Sequence, residues 1–253
     1  MPDTAPATIV RQLAPSGTLR AAINFGNPVL AQRDGPGGKP GGVTVELAHE
    51  LGRRLGVPVT LVGYDAAGQV FAAAATAAWD VAFLAIDPNR ATAVEFTAPY
   101  VIIEGAYMVP VASPLQTVAD VDRAGVRIAV GTGSAYELYL TRTLRHAVLV
   151  HAPTGNDAIA QFQREGLEAA AGVRSPLQKF VQGQPGLRMI DGRFMAIEQA
   201  MGIPKGRGDN MDAERAAQFL RAFVEDMKAS GLVAAALARS GQHDAQVAPA
   251  ANT

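Results

Sequence analysis

Trp79-Asp80-Val81-Ala82-Phe83-Leu84-Ala85-Ile86-Asp87-Pro88-Asn89-Arg90 is the stretch whose reading decides the fold. The apolar run from Val81 to Ile86, closed by turn formers, has the length and pattern of a buried strand. What leaves its end is an aspartate, a proline turn and an arginine. A second stretch has the same build: Val126-Arg127-Ile128-Ala129-Val130 runs into Gly131-Thr132-Gly133-Ser134-Ala135. An arginine offers a planar fork that matches a carboxylate. A glycine-rich turn opening a helix offers free backbone N–H groups and the positive end of the helix dipole. If both strand ends face one cleft, they hold one small carboxylate from two sides.

Outward from these stretches, strand and helix patterns alternate, which points to an α/β fold with mostly parallel sheet. Leu19 to Ile23 reads as a first strand, followed by a glycine-proline loop over 34–42. Leu47, Leu51 and Leu55 at i, i+4, i+8 mark a helix with Thr44 as its expected cap, stopped by Gly56 and Pro58. Val57 to Val62 is a second strand, Ala66 to Ala78 an alanine-rich helix, and Tyr107 to Val111 leads out of the first unit. A new series follows: a short helix opened by Thr117, strand 126–130, helix 135–144, strand 147–151, helix 156–165, strand 168–173 and strand 187–190. The broad apolar face of 212–230 makes the clearest helix, closed by Gly231, and the tail after Gly241 is expected to fray. The expected division is a first lobe over 1–110 with 190–253 and an inserted second lobe over 111–189.

Composition narrows the function. The 253 residues are 49% hydrophobic and 18% charged with a net charge of −1, which argues against a bulk electrostatic grip on nucleic acid or an anionic membrane. The basic run Lys205-Gly206-Arg207 reads as a solvated loop. The absence of cysteine excludes disulfides, thiolate nucleophiles and zinc–cysteine sites. The four histidines lack metal-ligand spacing, so no metal and no cofactor are expected. Val70 to Trp79, the longest run of small apolar residues, is about half a membrane span. Met1-Pro2-Asp3-Thr4-Ala5 has neither a basic start nor an apolar core, so the chain is read as lacking a secretory signal. Sharper motifs fail. Tyr136 stands where a dinucleotide fingerprint needs its third glycine, and no lysine completes a phosphate loop.

The ordered set of motifs resembles the family 3 extracellular solute-binding proteins, the amino-acid-binding component of ABC importers. Gly17-Thr18-Leu19-Arg20 is similar to that family's opening strand, Gly42-Val43-Thr44-Val45-Glu46-Leu47-Ala48 to its first helix, and Trp79-Asp80-Val81-Ala82 to its third strand. Asp87-Pro88-Asn89-Arg90 followed by Glu95-Phe96-Thr97-Ala98-Pro99-Tyr100 resembles its signature, Val130 to Ser134 the start of its second lobe, and Met227-Lys228-Ala229-Ser230-Gly231 its last helix. The resemblance spans about 17 to 240. It implies a two-lobed periplasmic-binding-protein-like α/β fold of type II, with two crossover strands at the hinge and a ligand in the cleft. Arg90 would grip the ligand carboxylate, with Ser134 and the Ala135 N–H as partners from the second lobe and backbone groups near Ala85 and Asp87 completing that end. It also implies an ABC permease as partner and the periplasm as location, with the cytoplasm left open by the lack of a signal; a non-catalytic monomer without membrane insertion is expected.

Two departures bear on the ligand. The family's pattern has an aspartate for the ligand's α-amino group at the end of the strand here written Glu168-Ala169-Ala170-Ala171-Gly172-Val173-Arg174. A cation there repels an ammonium and suits a dicarboxylate or a polar acceptor. Asn24-Phe25-Gly26-Asn27-Pro28 replaces the usual aromatic-proline entry; Asn24 and Asn27 could orient a ligand and Phe25 could stack on it. Each residue also has a plainer reading: Arg90 in a salt bridge, Ser134 as a helix N-cap, Arg174 in solvent, the asparagines as turn residues, Phe83 and Trp79 as core. Two rivals stay open, a cyclohexadienyl-dehydratase-like enzyme using Glu104 or Glu198 and a stand-alone ligand sensor.

Overall fold

The computed structural model describes residues 5–33, 35, 37–206 and 210–251; Met1 to Thr4, Asp34, Pro36 and Arg207, on which readings of the N-terminus, the glycine-proline loop and the basic run fall, lie outside the described residues. The chain forms two compact units: unit 1 comprises Met1–Tyr64, Gln69–Ile102 and Glu198–Thr253, and unit 2 comprises Asp65–Gly68 and Ile103–Ile197. In chain order, unit 1 begins with α1 (Ala7–Leu13), β1 (Leu19–Asn24), the small pair β2 (Gln32–Arg33) and β3 (Pro40–Gly41), α2 (Val43–Leu55), β4 (Val59–Tyr64), α3 (Ala67–Ala72, whose Ala67 and Gly68 count with unit 2), β5 (Val81–Ala85) and the long β6 (Val94–Pro110). β6 leads into unit 2, where β7 (Arg127–Gly131), α4 (Ala135–Thr143), β8 (Val148–Ala152), α5 (Gly155–Glu165), β9 (Ala169–Val173), α6 (Arg174–Gln182) and β10 (Leu187–Met189) follow. β11 (Met195–Pro204) returns to unit 1, which α7 (Asn210–Ala229), α8 (Leu232–Arg239) and β12 (Gln246–Val247) complete.

In unit 1 the sheet order is β4-β1-β5-β11-β6, with β12 added to β6. β1 pairs parallel with β4 and with β5, and β11 runs antiparallel to β5. All five residues of β5 are buried, as a continuous apolar run in a sheet centre requires. α2 buries Leu47, Leu51 and Leu55 and stops at Gly56, whose φ of 68° is left-handed. Its cap differs from the expectation. Gly42 holds the N-cap with φ 101°, and a Cβ there would lie 2.5 Å from the Leu30 carbonyl oxygen. Thr44 is already inside the helix, its hydroxyl donating to that same carbonyl at 3.2 Å.

The alanine-rich segment is also shorter than read. α3 gives way to one 3₁₀ turn over Ala73–Thr76, and Ala77 takes φ 51°. The segment buries only Val70, whereas Trp79 must turn inward, where its indole N–H donates to the Val70 carbonyl at 2.9 Å. Where the sequence reads a frayed tail after Gly241, the described residues to Ala251 carry a further strand. Gln246 and Val247 pair antiparallel with Ile102 and Val101, and the Ala248 N–H donates to the Tyr100 carbonyl at 3.1 Å. Lys228 fastens it, its Nζ donating to Pro249 at 2.8 Å and to Pro99 at 3.2 Å.

Unit 2 has the order β6-β9-β7-β8, with β7 parallel to both neighbours, β9 antiparallel to β6 and β10 on β6. Its core gathers Met108, Ala129, Ala152, Ala158, Phe162, Leu167, Ala170 and Leu177. β6 pairs with β9 from Gly105 onward, which places residues 103–110 in unit 2; the sequence reading ended the first lobe at 110. α6 was not anticipated. It starts at Arg174 behind Val173, which gives no side-chain cap, and carries Pro176 in its first turn, where a missing N–H costs nothing. Among the described residues no helix is long and apolar enough to cross a membrane.

Glu50 on α2 accepts from Arg53 Nε at 2.8 Å and from Arg54 Nε at 2.9 Å. The Arg53 hydrogen bond, against burial and with help from Arg54, pulls the carboxyl down from 4.5 to about 2. A depressed folded value means that the stabilisation is full above the unfolded value and is lost as the pH falls. Urea unfolding between pH 4.5 and 2 is therefore expected to show a steeper loss of stability for the wild type than for Glu50→Gln. Identical pH dependence would contradict this assignment.

Candidate functional site

The first group of residues lies in unit 1, at the carboxyl end of β5. Arg90 opens a 3₁₀ turn over Arg90–Thr92, and only 1% of it is exposed. A guanidinium so deep must be hydrogen-bonded. Its Nη1 donates to the Ala85 carbonyl at 3.0 Å, so the arginine folds back on the strand end it follows. Asp87, also buried, shapes the turn: Oδ1 accepts the Asn89 N–H at 2.9 Å and its carbonyl accepts the Ala91 N–H at 2.9 Å. Arg90, Ala85 and Asp87 are thus brought together at one strand end.

Asn24 is the last residue of β1, and Phe25 and Asn27 lie in the turn that follows. Asn24 Oδ1 accepts the Gly26 N–H at 3.0 Å and Asn27 Oδ1 accepts the Val29 N–H at 3.3 Å, both turn-forming bonds. Phe25 packs beside Gly63, where a Cβ would come within 3.0 Å of its ring, and carries the Arg33 guanidinium 4.5 Å from the ring centroid. Phe83 and Trp79 are core residues, Phe83 meeting Tyr100 edge-on at 6.0 Å.

The second group lies in unit 2. β7 ends at Gly131, whose backbone approaches the start of α5 so closely that a Cβ would lie 2.7 Å from the Gly155 nitrogen. Gly133 has φ 69° and packs on Gly68, at 2.7 Å for a Cβ built there. Ser134 is the N-cap of α4, its hydroxyl accepting the Glu137 N–H at 3.1 Å. The Glu137 carboxylate returns to the turn, Oε2 accepting the Gly133 N–H at 3.1 Å. The Ser134 N–H goes to the Gly131 carbonyl at 3.2 Å. Among the described residues, the tip amides without an internal acceptor are those of Ala135 and Tyr136. Sequence reasoning did not single out Glu137, although Ser134-x-x-Glu137 has the spacing of a capping box.

Arg174 follows β9, the parallel neighbour of β7 in unit 2. It is the first residue of α6, its Nε donates to Glu104 Oε2 at 2.6 Å and its Nη2 to the Gly192 carbonyl. Arg193 Nη1 binds the other Glu104 oxygen at 3.0 Å. Burial works against ionisation of Glu104, but the hydrogen bonds and charges of Arg174 and Arg193 prevail and hold its carboxyl below the ordinary range. This ion trio had no signal in the sequence, since its members are far apart along the chain. Glu198 is exposed, and its carbonyl accepts the Ile86 N–H at 2.9 Å. Among the described residues no group of three His, Cys, Asp or Glu side chains could hold a metal ion.

Two α/β units joined by the strands β6 and β11 are the build of the solute-binding class. The chain belongs to the bacterial extracellular solute-binding proteins, family 3, whose model matches residues 19–242. No curated protein matches the sequence. Among solved structures, the solute receptor for L-cysteine of Neisseria gonorrhoeae is similar at 20% identity, covering 91% of this chain and 92% of that one with a TM-score of 0.76. The amino acid ABC transporter substrate-binding protein AbpA from Streptococcus pneumoniae, bound to L-arginine, matches at 19% identity over 90% of this chain and 96% of its own, TM-score 0.75. The ancestral amino-acid-binding protein AncCDT-1, a precursor of cyclohexadienyl dehydratase, matches at 19% identity over 92% and 99%, TM-score 0.74. These likenesses establish the two-lobed periplasmic-binding-protein fold.

Ser134→Ala removes the hydroxyl that caps α4 and is expected to lower unfolding stability by about 1 kcal/mol in chemical denaturation. Unchanged stability would mean that the cap contributes nothing.

Proposed function

We propose that the protein captures a small carboxylate-bearing solute, an amino acid or a related organic acid, in the periplasm and delivers it to the permease of an ABC importer. The observation that carries this reading is Arg90, buried and anchored on the Ala85 carbonyl at the end of β5. In this reading Arg90 and the Ser134–Ala135 tip grip one carboxylate, each charge-assisted hydrogen bond contributing about 1.5–3 kcal/mol. The two crossing strands, β6 and β11, act as the hinge, and ligand shifts the population toward the closed state. Asn24, Phe25 and Asn27 line the entry, with backbone groups at Ala85 and Asp87 completing the carboxylate end. Family membership supports the reading, as do similar proteins described as bound to L-arginine or as a receptor for L-cysteine.

Arg174, Arg193 and Glu104 leave one net positive charge, two guanidinium groups against one carboxylate. A ligand with an acidic or acceptor group at its far end fits that balance better than one with a second ammonium. The enzymatic alternative draws on the similarity to AncCDT-1 and needs a proton donor of raised pKa. Glu104 is shifted the other way, which favours capture over turnover.

A thermal-shift screen over amino acids, dicarboxylates and aromatic acids tests the reading. A compound from that panel is expected to raise the melting temperature of the wild type, and Arg90→Ala is expected to abolish the rise while keeping the fold. An undiminished rise in Arg90→Ala would remove the clamp. Arg174→Asp is expected to shift preference toward ammonium-bearing compounds, and an unchanged panel would place Arg174 outside the site. Incubated with the protein, the stabilising compound is expected to be recovered unchanged; a product would favour the enzyme.

A further inference from the structure

We infer that Glu137 is a built-in anion at the tip of α4, which weakens that tip's hold on an incoming anion in proportion to the anion's charge. The tip is thereby set for a single carboxylate group, whatever the ligand carries at its far end, and against doubly charged groups such as sulfate or phosphate. The inference rests on the proposed function, in which the Ser134–Ala135 tip receives the ligand carboxylate.

Glu137 is the third residue of α4, and only 8% of it is exposed. Its carboxylate is fully engaged. Oε2 takes the Gly133 N–H at 3.1 Å, and Oε1 takes the Thr141 hydroxyl at 3.0 Å and faces His151 Nε2 at 3.1 Å. These partners fix the group in the first turn, where the helix presents about half a positive elementary charge. A full negative charge held there more than offsets it. The glutamate also consumes two of the tip's amides, Gly133 through its side chain and its own through Ser134 Oγ. An arriving anion meets the Ala135 and Tyr136 N–H groups with a carboxylate beside them.

Coulomb energy is linear in the charge of the arriving group. Removing the Glu137 charge should therefore multiply the affinity for a dianion by about the square of the factor gained for a monoanion. A structural role alone would weaken both probes or change them alike. The scaling with charge is the signature.

The test is an NMR titration of the intact protein at constant pH and ionic strength, following the Ala135 and Tyr136 amide resonances. The probes are sodium acetate and sodium sulfate, for wild type and Glu137→Gln. Glutamine keeps the side chain's shape and an acceptor for Thr141. Both probes are expected to move the two resonances in the wild type, and Glu137→Gln is expected to tighten acetate about threefold and sulfate about tenfold. Movement without any gain, or with equal gains for the two probes, overturns the inference and leaves the anion-binding tip standing. No movement with either probe in either protein overturns the tip as an anion site, and the inference with it. Should Glu137→Gln fail to fold, His151→Lys places a fixed cation beside Glu137 Oε1. It is expected to tighten both probes, sulfate more than acetate, and an absence of gain there overturns the inference.

Discussion

The main-chain hydrogen bonds of one strand constrain everything else. β6 runs for 17 residues, about three times the usual strand length. Its first part belongs to unit 1, where β11 is its neighbour and β12 covers Val101 and Ile102; its last part belongs to unit 2, paired with β9 and β10. A strand so placed must keep its own register while serving two units. Thr97 and Lys228 show how this is done in unit 1. The Thr97 hydroxyl accepts the Met201 N–H at 3.2 Å, and Lys228 ties both Pro99 and the C-terminal segment to α7. In unit 2, Phe194 and Met195 crowd Gly105 so closely that no larger residue fits without a shift.

The proposed ligand contacts lie where α/β sheets usually put them, outside the carboxyl ends of strands. β5 ends in Ala85 and delivers Arg90; β7 ends in Gly131 and delivers the α4 tip. The two ends solve opposite electrostatic problems. Arg90 is a buried cation stabilised by a carbonyl, and the α4 tip is a set of amides partly satisfied by the protein's own carboxylate. In the proposed function each receives an anion, and neither presents a bare charge.

Much of this was legible in the sequence because the signals are local. Val81 to Ala85 reads as a buried strand from its apolar run, and Leu47, Leu51 and Leu55 give α2 its face. Ser134 as a cap follows from its place before a helix. What escaped depended on contacts distant in sequence or on locally weak cues. Pro99 and Gly105 disguise β6 as a break between units. Pro176 after Arg174 looks like the end of a strand, although a proline is harmless in a first helical turn. β12 has no pattern of its own and docks because Lys228 and the edge of β6 receive it. Glu104 meets Arg174 across 70 residues of chain, and nothing near either one announces the pair. Thr44 lost the cap of α2 to Gly42 because that turn needs a left-handed backbone beside the Leu30 carbonyl.

The central claim is that one ligand carboxylate is shared by Arg90 and the α4 tip. The most direct measurement follows the Arg90 guanidinium and the Ala135 amide in a single NMR titration with a stabilising amino acid or organic acid. The account predicts that both signals move with one common midpoint. Movement of one without the other, or two separate midpoints, would contradict it.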